Sequence, residues 1–515
     1  MNAAESLVVT ARAFGVDTCF ANPGTSEMPL VAALDAVPGI RAVLGLFEGV
    51  CTGAADGFAR MAGRPAMTLL HLGPGLANGL ANLHNARRAR SPVLNVVGEH
   101  ATWHLGADSA LECDIEALAA PMSAWVRTSR SAGAVAADCA DALAAATAPP
   151  GNVATLIVPA DLQSAAAGAP ARVSKSTAPP PPDGLRAAAA VERLRRGAST
   201  ALYVGGPACA AVPLSHAARI VAASGCRLFV ETFPGRMERG AGTPSAERFP
   251  YFPEQVAHTL GRTTCVVVVG APPPVALFGW PGARSRMLPE DVEVVCLATA
   301  EEDVVAALAS VATGLGAPVD RGSLAPFELP PRPSGKLDGA ALAAAVAATM
   351  PEHAILVDEG ATASVFLYPA LASAAPHSWL TLTGGAIGQG LPCATGAAIA
   401  CPDRRVVAFQ ADGSGLYTMQ ALWTQARESL DVTTIVCANR AYRILQIELQ
   451  RAGVSRTGRA ARSLTELTGP DIDWVQLAAG MGVPGIRAND ADGLVRALER
   501  AYAEPGPHLI EAVLA

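Results

Sequence analysis

Short apolar runs rich in β-branched residues alternate along the chain with longer Ala- and Leu-rich stretches at helical spacing. The first strand candidates are Met67–Leu72, Val93–Gly98 and Ala154–Val158. A second group is Ala201–Val204, Arg227–Val230, Cys265–Gly270 and Val292–Cys296, and a third is Ala354–Val357, Arg405–Gln410, Thr433–Ala438 and Leu509–Val513. Strands separated by helix-length segments make parallel sheets through right-handed crossovers. The pattern therefore predicts an α/β protein of three doubly wound parallel-sheet domains.

Two Pro-rich composition shifts divide these groups. One spans 165–183 and includes Pro179-Pro180-Pro181-Pro182; the other spans 316–335 and includes Pro318, Pro326, Pro330, Pro331 and Pro333. Both read as extended linkers rather than core. The expected domains are 1–164, 184–315 and 336–515, each of ordinary size. The sequence shows no short-period repeat.

Composition narrows the class. Apolar residues make up 51% of the 515 and charged residues only 16%, which suits strands covered on both faces. A net charge of −7 argues against a nucleic-acid partner, which calls for a basic patch. No apolar run reaches the roughly 20 residues of a membrane-spanning helix. The first ten residues carry Glu5 and no basic cluster, unlike a secretory signal. Eleven cysteines are scattered with no Cys-x-x-Cys pair, so neither a disulfide framework nor a zinc site is expected. These features fit a soluble protein of the cytoplasm.

The third block carries the strongest chemical signal. The apolar run ending at Ala411 is followed by Asp412-Gly413-Ser414-Gly415, and the run ending at Ala438 is followed by Asn439-Arg440-Ala441-Tyr442. The 27-residue step from Asp412 to Asn439 is about one strand–helix–strand crossover. Both side chains should emerge at the carboxyl ends of neighbouring parallel strands, where open α/β sheets bind ligands. One carboxylate, one amide oxygen and the Ala441 carbonyl suit Mg²⁺, which takes oxygen ligands and shares them with phosphate. Gly413 lets backbone come close, and the following helix N-terminus favours an anion, with Ser414 adding a hydroxyl. Taken alone, Asp-Gly-Ser also fits an ordinary strand-to-helix turn.

With these residues the chain resembles the thiamine diphosphate superfamily of 2-oxo acid decarboxylases, similar to benzoylformate decarboxylase, and acetolactate synthase large subunits. That family carries Gly-Asp-Gly-Ser and, about 25 residues on, Asn-Asn; here Ala411 and Arg440 replace the first Gly and second Asn. Thr383-Gly384-Gly385-Ala386-Ile387-Gly388 resembles the loop that grips the cofactor's aminopyrimidine. The resemblance gives Gly385 a backbone contact and makes Ile387 the prop for the bent cofactor. Asp358-Glu359-Gly360-Ala361-Thr362 resembles the loop that touches the diphosphate, with Ala361 in place of one hydroxyl and Thr362 as the remaining donor. Tyr442 is expected at the diphosphate end. Arg440 and Arg443 read as a solvated face.

In the first block, Leu46-Phe47-Glu48-Gly49-Val50 precedes Ala54-Ala55-Asp56-Gly57. The resemblance makes Glu48 the essential acid that bonds the pyrimidine N1′. Burial among Leu46, Phe47 and Val50 is expected to raise its pKa. Asn22-Pro23-Gly24-Thr25-Ser26-Glu27 resembles the loop whose Ser meets the substrate carboxylate, and Leu70-His71-Leu72-Gly73-Pro74-Gly75 places His71 at the family's catalytic histidine. His84, His100 and His104 read as structural or supporting. The second histidine of benzoylformate decarboxylase has no counterpart here; Phe278-Gly279-Trp280-Pro281 occupies that region.

The resemblance implies thiamine diphosphate and Mg²⁺ as cofactors, a small-molecule 2-oxo acid substrate, and cleavage through an enamine to an aldehyde and CO₂. A carboligase of the acetolactate synthase kind is the alternative, and a non-catalytic cofactor-binding relative is a third. FAD is not predicted: Val204-Gly205-Gly206-Pro207 and Val269-Gly270-Ala271-Pro272 are equally well read as plain turns. A homodimer or homotetramer with active sites at the subunit interface follows from the resemblance.

Overall fold

The computed structural model describes residues 1–172, 178–280, 282–319, 322–454 and 457–514. Parts of both expected linkers (173–177, 320 and 321) and Pro281 lie outside the described residues. The chain forms two compact units: Met1–Ser176, Pro330–Leu367 and Leu382–Ala515 make one, and Thr177–Leu329 with Tyr368–Thr381 make the other.

The first unit holds the first and third strand groups. Its amino-terminal sheet runs Arg41–Leu44, Thr18–Asn22, Ala66–Leu70, Val93–Glu99, Val153–Pro159, Trp125–Thr128, all parallel. The carboxy-terminal strands run Gly485–Ala488, His508–Val513, Val432–Ala438, Val406–Ala411, Ile355–Glu359, again parallel. Every residue of Val93–Glu99, Val153–Pro159 and Val432–Ala438 is buried, as expected of strands with helices on both faces.

The helices Glu48–Ala62 and Gly390–Ala400 touch backbone to backbone within this unit. A Cβ on Gly57 would lie 2.0 Å from the Cys393 carbonyl oxygen, and one on Gly396 would lie 1.8 Å from the Ala54 carbonyl oxygen. Close by, the Arg60 guanidinium grips Asp56 at 2.8 and 2.5 Å, with both side chains buried. Asp56 also accepts from Ser91 at 2.5 Å and from Gln389 at 2.8 Å. A buried charge with this many donors is satisfied, which explains an Asp and an Arg inside an otherwise small-residue helix.

The second unit carries a five-stranded parallel sheet in the order Glu247–Arg248, Arg227–Val230, Thr200–Val204, Cys265–Val269, Glu293–Ala298. Three sheets of mixed α/β architecture are thus present, as the hydrophobic pattern predicts. This unit also pairs Met237–Arg239 antiparallel with His377–Thr381, two strands whose short polar sequences carry little periodic signal. At the carboxyl ends of the two central strands, Gly206 N–H donates to Glu231 Oε1 at 2.5 Å. A Cβ on Gly270 would lie 2.3 Å from the Gly205 carbonyl oxygen, so the two turns pack on each other. Among the described residues no helix is long and apolar enough to cross a membrane.

Candidate active site

The strands Thr18–Asn22 and Ala66–Leu70 pair with Asn22 beside Leu70, so the loops that leave them emerge side by side at one sheet edge. Gly24 lies under the His71 ring; a Cβ there would fall 2.4 Å from His71 Cγ. The turn Thr25–Glu27 then directs Glu27 inward, where it is completely buried. Its Oε2 accepts from Gly24 N–H at 2.8 Å and sits 2.7 Å from His71 Nδ1. Ser26 Oγ is 3.3 Å from the same nitrogen.

This geometry assigns the tautomer. A carboxylate only accepts, so Nδ1 carries the hydrogen and Nε2 is left as the proton-accepting end. The His71 side chain is 25% exposed, which gives that end access to a ligand. Glu27 Oε1 has no partner among the described residues and occupies the space a side chain on Gly98 would need, 1.7 Å from that Cβ position. Glu27 was not singled out from the sequence. Its role depends on two loops, 44 residues apart at Glu27 and His71, being neighbours, and a Glu beside Ser26 carries no signal of burial by itself.

Glu48 opens the helix Glu48–Ala62. It is half-buried, and its carboxylate accepts from Asn78 Nδ2 at 3.0 Å. The expected apolar enclosure is not found among the described residues: Val50 is buried, but Phe47 is half-buried and Leu46 is 45% exposed. The reason is local. A helix's first residue at a sheet edge projects out of the core. Glu48 and His71 flank the same glycine: a Cβ on Gly75 would lie 3.1 Å from Glu48 Oε1 and 3.5 Å from His71 Cβ.

The carboxy-terminal residues gather as the strand pattern predicts. Ala411 pairs with Cys437, so Asp412 and Asn439 leave adjacent parallel strands. Asp412 is buried and accepts from Gly413 N–H at 2.9 Å and from Arg440 N–H at 2.6 Å; burial pushes its carboxyl up. Asn439 Oδ1 accepts from Ala441 N–H at 3.0 Å. Tyr442 packs on Gly413, where a Cβ would meet its ring at 2.5 Å. Arg440 pairs with Asp471 at 3.1 Å, both half-exposed, and Arg443 reaches Gln446 in an exposed contact, in keeping with a solvated face. Thr362 sits in the turn Ala361–Ala363 at the end of the neighbouring strand.

The glycine-rich loop is clamped on one side by the helix Leu72–Ala89. Gly388 O accepts from Asn82 at 3.2 Å and Ala386 O from Asn85 at 2.8 Å, and Gly384 O lies 3.1 Å from His84 Nε2. His84 is therefore a support for this loop. His100 bonds Ser109 at 3.1 Å and stacks edge-on with His104, away from the loop contacts. The Gly385 and Ile387 carbonyls, which alternate with the clamped ones, have no protein partner among the described residues. That leaves free backbone acceptors where an amino group could bind.

The donor set also fits a hard cation shared with a ligand. Among the described residues no three His, Cys, Asp or Glu side chains gather as a self-contained cage. One carboxylate, one amide oxygen and a backbone carbonyl stand instead on the two loops that leave adjacent strands, a donor set suited to an ion that completes its shell with phosphate oxygens.

Comparison with known proteins decides the family. Residues 1–119 match "Thiamine pyrophosphate enzyme, N-terminal TPP binding domain" and residues 360–512 match the corresponding C-terminal TPP binding domain. Along its whole length the chain is 50% identical to "Putative acetolactate synthase large subunit IlvX" of Mycobacterium tuberculosis, covering 99% of that protein.

The chain belongs to the thiamine pyrophosphate enzyme family.

Within the family it is also 30% identical to benzoylformate decarboxylase of Pseudomonas aeruginosa, over 97% of this chain and 96% of that one. A solved structure, the thiamine diphosphate-dependent 4-hydroxybenzoylformate decarboxylase of Rhodococcus jostii RHA1, superposes with a TM-score of 0.87 at 26% identity, covering 100% of this chain and 99% of that one. The family is thus that of acetolactate synthases and 2-oxo acid decarboxylases, and the two matched domains contain the loops of Glu48 and His71 and of Asp412 and Asn439.

Proposed function

We propose that the protein is a thiamine diphosphate- and Mg²⁺-dependent decarboxylase that converts a small 2-oxo acid to an aldehyde and CO₂. The observation that carries this reading is His71, held at Nδ1 by buried Glu27, with Ser26 beside it and Glu48 across Gly75. A decarboxylase must orient a carboxylate and then return a proton to carbon; a hydroxyl and a quarter-exposed imidazole of defined tautomer supply both functions.

Asp412, Asn439 and the Ala441 carbonyl would hold Mg²⁺. Thr362, Gly413, Ser414 and Tyr442 would line the diphosphate, and Gly385 and Ile387 would seat the pyrimidine. When bound, the cofactor supplies an electron sink for the pair released as CO₂ leaves. Glu48 holds a proton at its carboxyl oxygen toward the pyrimidine ring. Ser26 and His71 would orient the substrate carboxylate, and His71, after taking a proton from solvent at Nε2, would return it to the carbon that carried the carboxylate. We further propose a cytoplasmic homodimer or homotetramer in which the edge carrying Glu48 meets the metal-loop edge of a second subunit. Leu46 and Met28, 45% and 46% exposed beside the site, are apolar surface that a second subunit would cover.

The alternative is ligation of the decarboxylated fragment to a second carbonyl compound, favoured by the name of the M. tuberculosis relative. A panel of aromatic, aliphatic and charged 2-oxo acids, with CO₂ and products measured, separates the two. Aldehyde equal to CO₂ is the expected result. Acetolactate from pyruvate would transfer the function to the carboligase, and no CO₂ from any acid would overturn both.

A further inference from the structure

The glycine-rich loop cannot hold its own shape. Gly385 and Gly388 both take left-handed backbone, φ +72° and +95°, and glycine has little preference among the conformations open to it. The clamp from Asn82, His84 and Asn85 holds carbonyls on one side. On the other side, two N–H groups converge on one buried carboxylate: Glu359 Oε1 accepts from Gly388 at 2.6 Å and Oε2 from Gly390 at 2.5 Å.

The same carboxylate reaches the metal loop. Gln410 Nε2 bonds Glu359 Oε2 at 3.2 Å and Ser414 Oγ at 2.6 Å, and Ser414 donates in turn to the Ala411 carbonyl at 3.2 Å. Gln410 Oε1 is buried without a partner among the described residues, beside Gly390, where a Cβ would lie 2.3 Å from it. Thus the amide is turned to serve the Glu359–Ser414 bridge at the cost of its own acceptor.

A carboxylate is the side chain that can accept from two converging N–H groups without presenting a donor to either. Its burial is unfavourable: Glu359 is 3% exposed, and desolvation pushes its carboxyl up to about 7. A residue that burdens the fold yet meets both donors is placed for geometry rather than for stability. We propose that Glu359 is the positioning residue that sets the Gly384–Gly390 loop to receive the cofactor's pyrimidine, and that Gln410 transmits this setting to Ser414 at the diphosphate loop. The inference rests on the reading that this loop takes the pyrimidine.

The test is calorimetric titration of the full chain, stripped of cofactor, with thiamine diphosphate in saturating Mg²⁺, alongside thermal melting of the apo protein. In Glu359→Gln the amide NH₂ opposes one of the two backbone donors. The dissociation constant should rise about tenfold or more, while the apo melting temperature stays equal or increases because a buried charge is gone. A melting temperature that falls together with unchanged affinity would overturn the proposal, as would affinity within twofold of wild type. If Glu359→Gln does not fold, Gln410→Met, which keeps both Glu359–backbone bonds, carries the test. Weakened cofactor binding by folded Gln410→Met supports the bridge, and wild-type binding refutes it. Failure of the wild-type protein itself to bind the cofactor would count against the proposed function instead.

Discussion

Replacing Glu27 by Gln perturbs the His71 arrangement with almost no change in volume. The oxygen that bonds Gly24 N–H and His71 Nδ1 is one atom, Oε2. In the variant the amide oxygen must take that place, since an NH₂ there would face the Gly24 N–H. His71 therefore keeps its tautomer but loses the negative charge behind it. Hydrogen bonds to a charged partner contribute about 1.5–3 kcal/mol against about 0.5–1.5 for neutral pairs, so protonated His71 loses about 1–2 kcal/mol of stabilisation. Proton delivery from Nε2 should slow by roughly five- to thirtyfold. The assay is CO₂ release from the best 2-oxo acid, measured for Glu27→Gln, His71→Gln and the double variant. Because Glu27 acts through His71, its loss should have little further effect once the imidazole is gone. Multiplying losses in the double variant, or full activity in Glu27→Gln, would refute the dyad.

Asp412→Ala removes the carboxylate of the metal set and should weaken Mg²⁺-dependent thiamine diphosphate binding by about a hundredfold or more, read by titration; undiminished binding would place the cation elsewhere. Glu359 titrates with its folded pKa above its unfolded one, about 7 against 4.5. The native state therefore binds the extra proton, and its contribution to stability is present at low pH and lost as pH rises through about 7, by at most about 3 kcal/mol. Urea midpoints of the apo wild type relative to Glu359→Gln should accordingly fall between pH 5 and pH 8; a constant difference would deny the buried charge. Gly396→Ala drives a methyl into the Ala54 carbonyl, with backbone on both sides and no flexible side-chain end to yield. It should cost about 3 kcal/mol or more by chemical denaturation, and a near-neutral result would mean that the two helices can separate.

Most strands that the hydrophobic pattern picks out are buried on both faces, as Val93–Glu99 and Val432–Ala438 are, though the sheet-end strand Glu293–Ala298 is partly exposed; all are found within one or two residues of their predicted ends. Strands such as Arg41–Leu44 and Trp125–Thr128, at the ends of their sheet, are partly exposed and mixed in character, so no periodicity marks them. Asp412 and Asn439 were legible because each directly follows an apolar run and the interval matches one crossover. Gln410 lies at the end of a run read as strand and Glu359 in the loop read as touching the diphosphate, and in neither place does a polar residue hint at the backbone it will meet. Glu27 needed the pairing of two distant strands. The expected burial of Glu48 rested on its apolar neighbours in sequence, but at a helix start those neighbours point in different directions.

The claim on which the account turns is that Glu48 serves the pyrimidine of bound thiamine diphosphate. Hydrogen–deuterium exchange at the thiazolium C2 of the cofactor, bound with Mg²⁺, measures this before any substrate is involved. Wild-type protein should accelerate the exchange well above that of free cofactor, and Glu48→Gln should lose most of the acceleration while still binding it. Equal exchange in the two proteins, with the cofactor bound to both, would contradict the account.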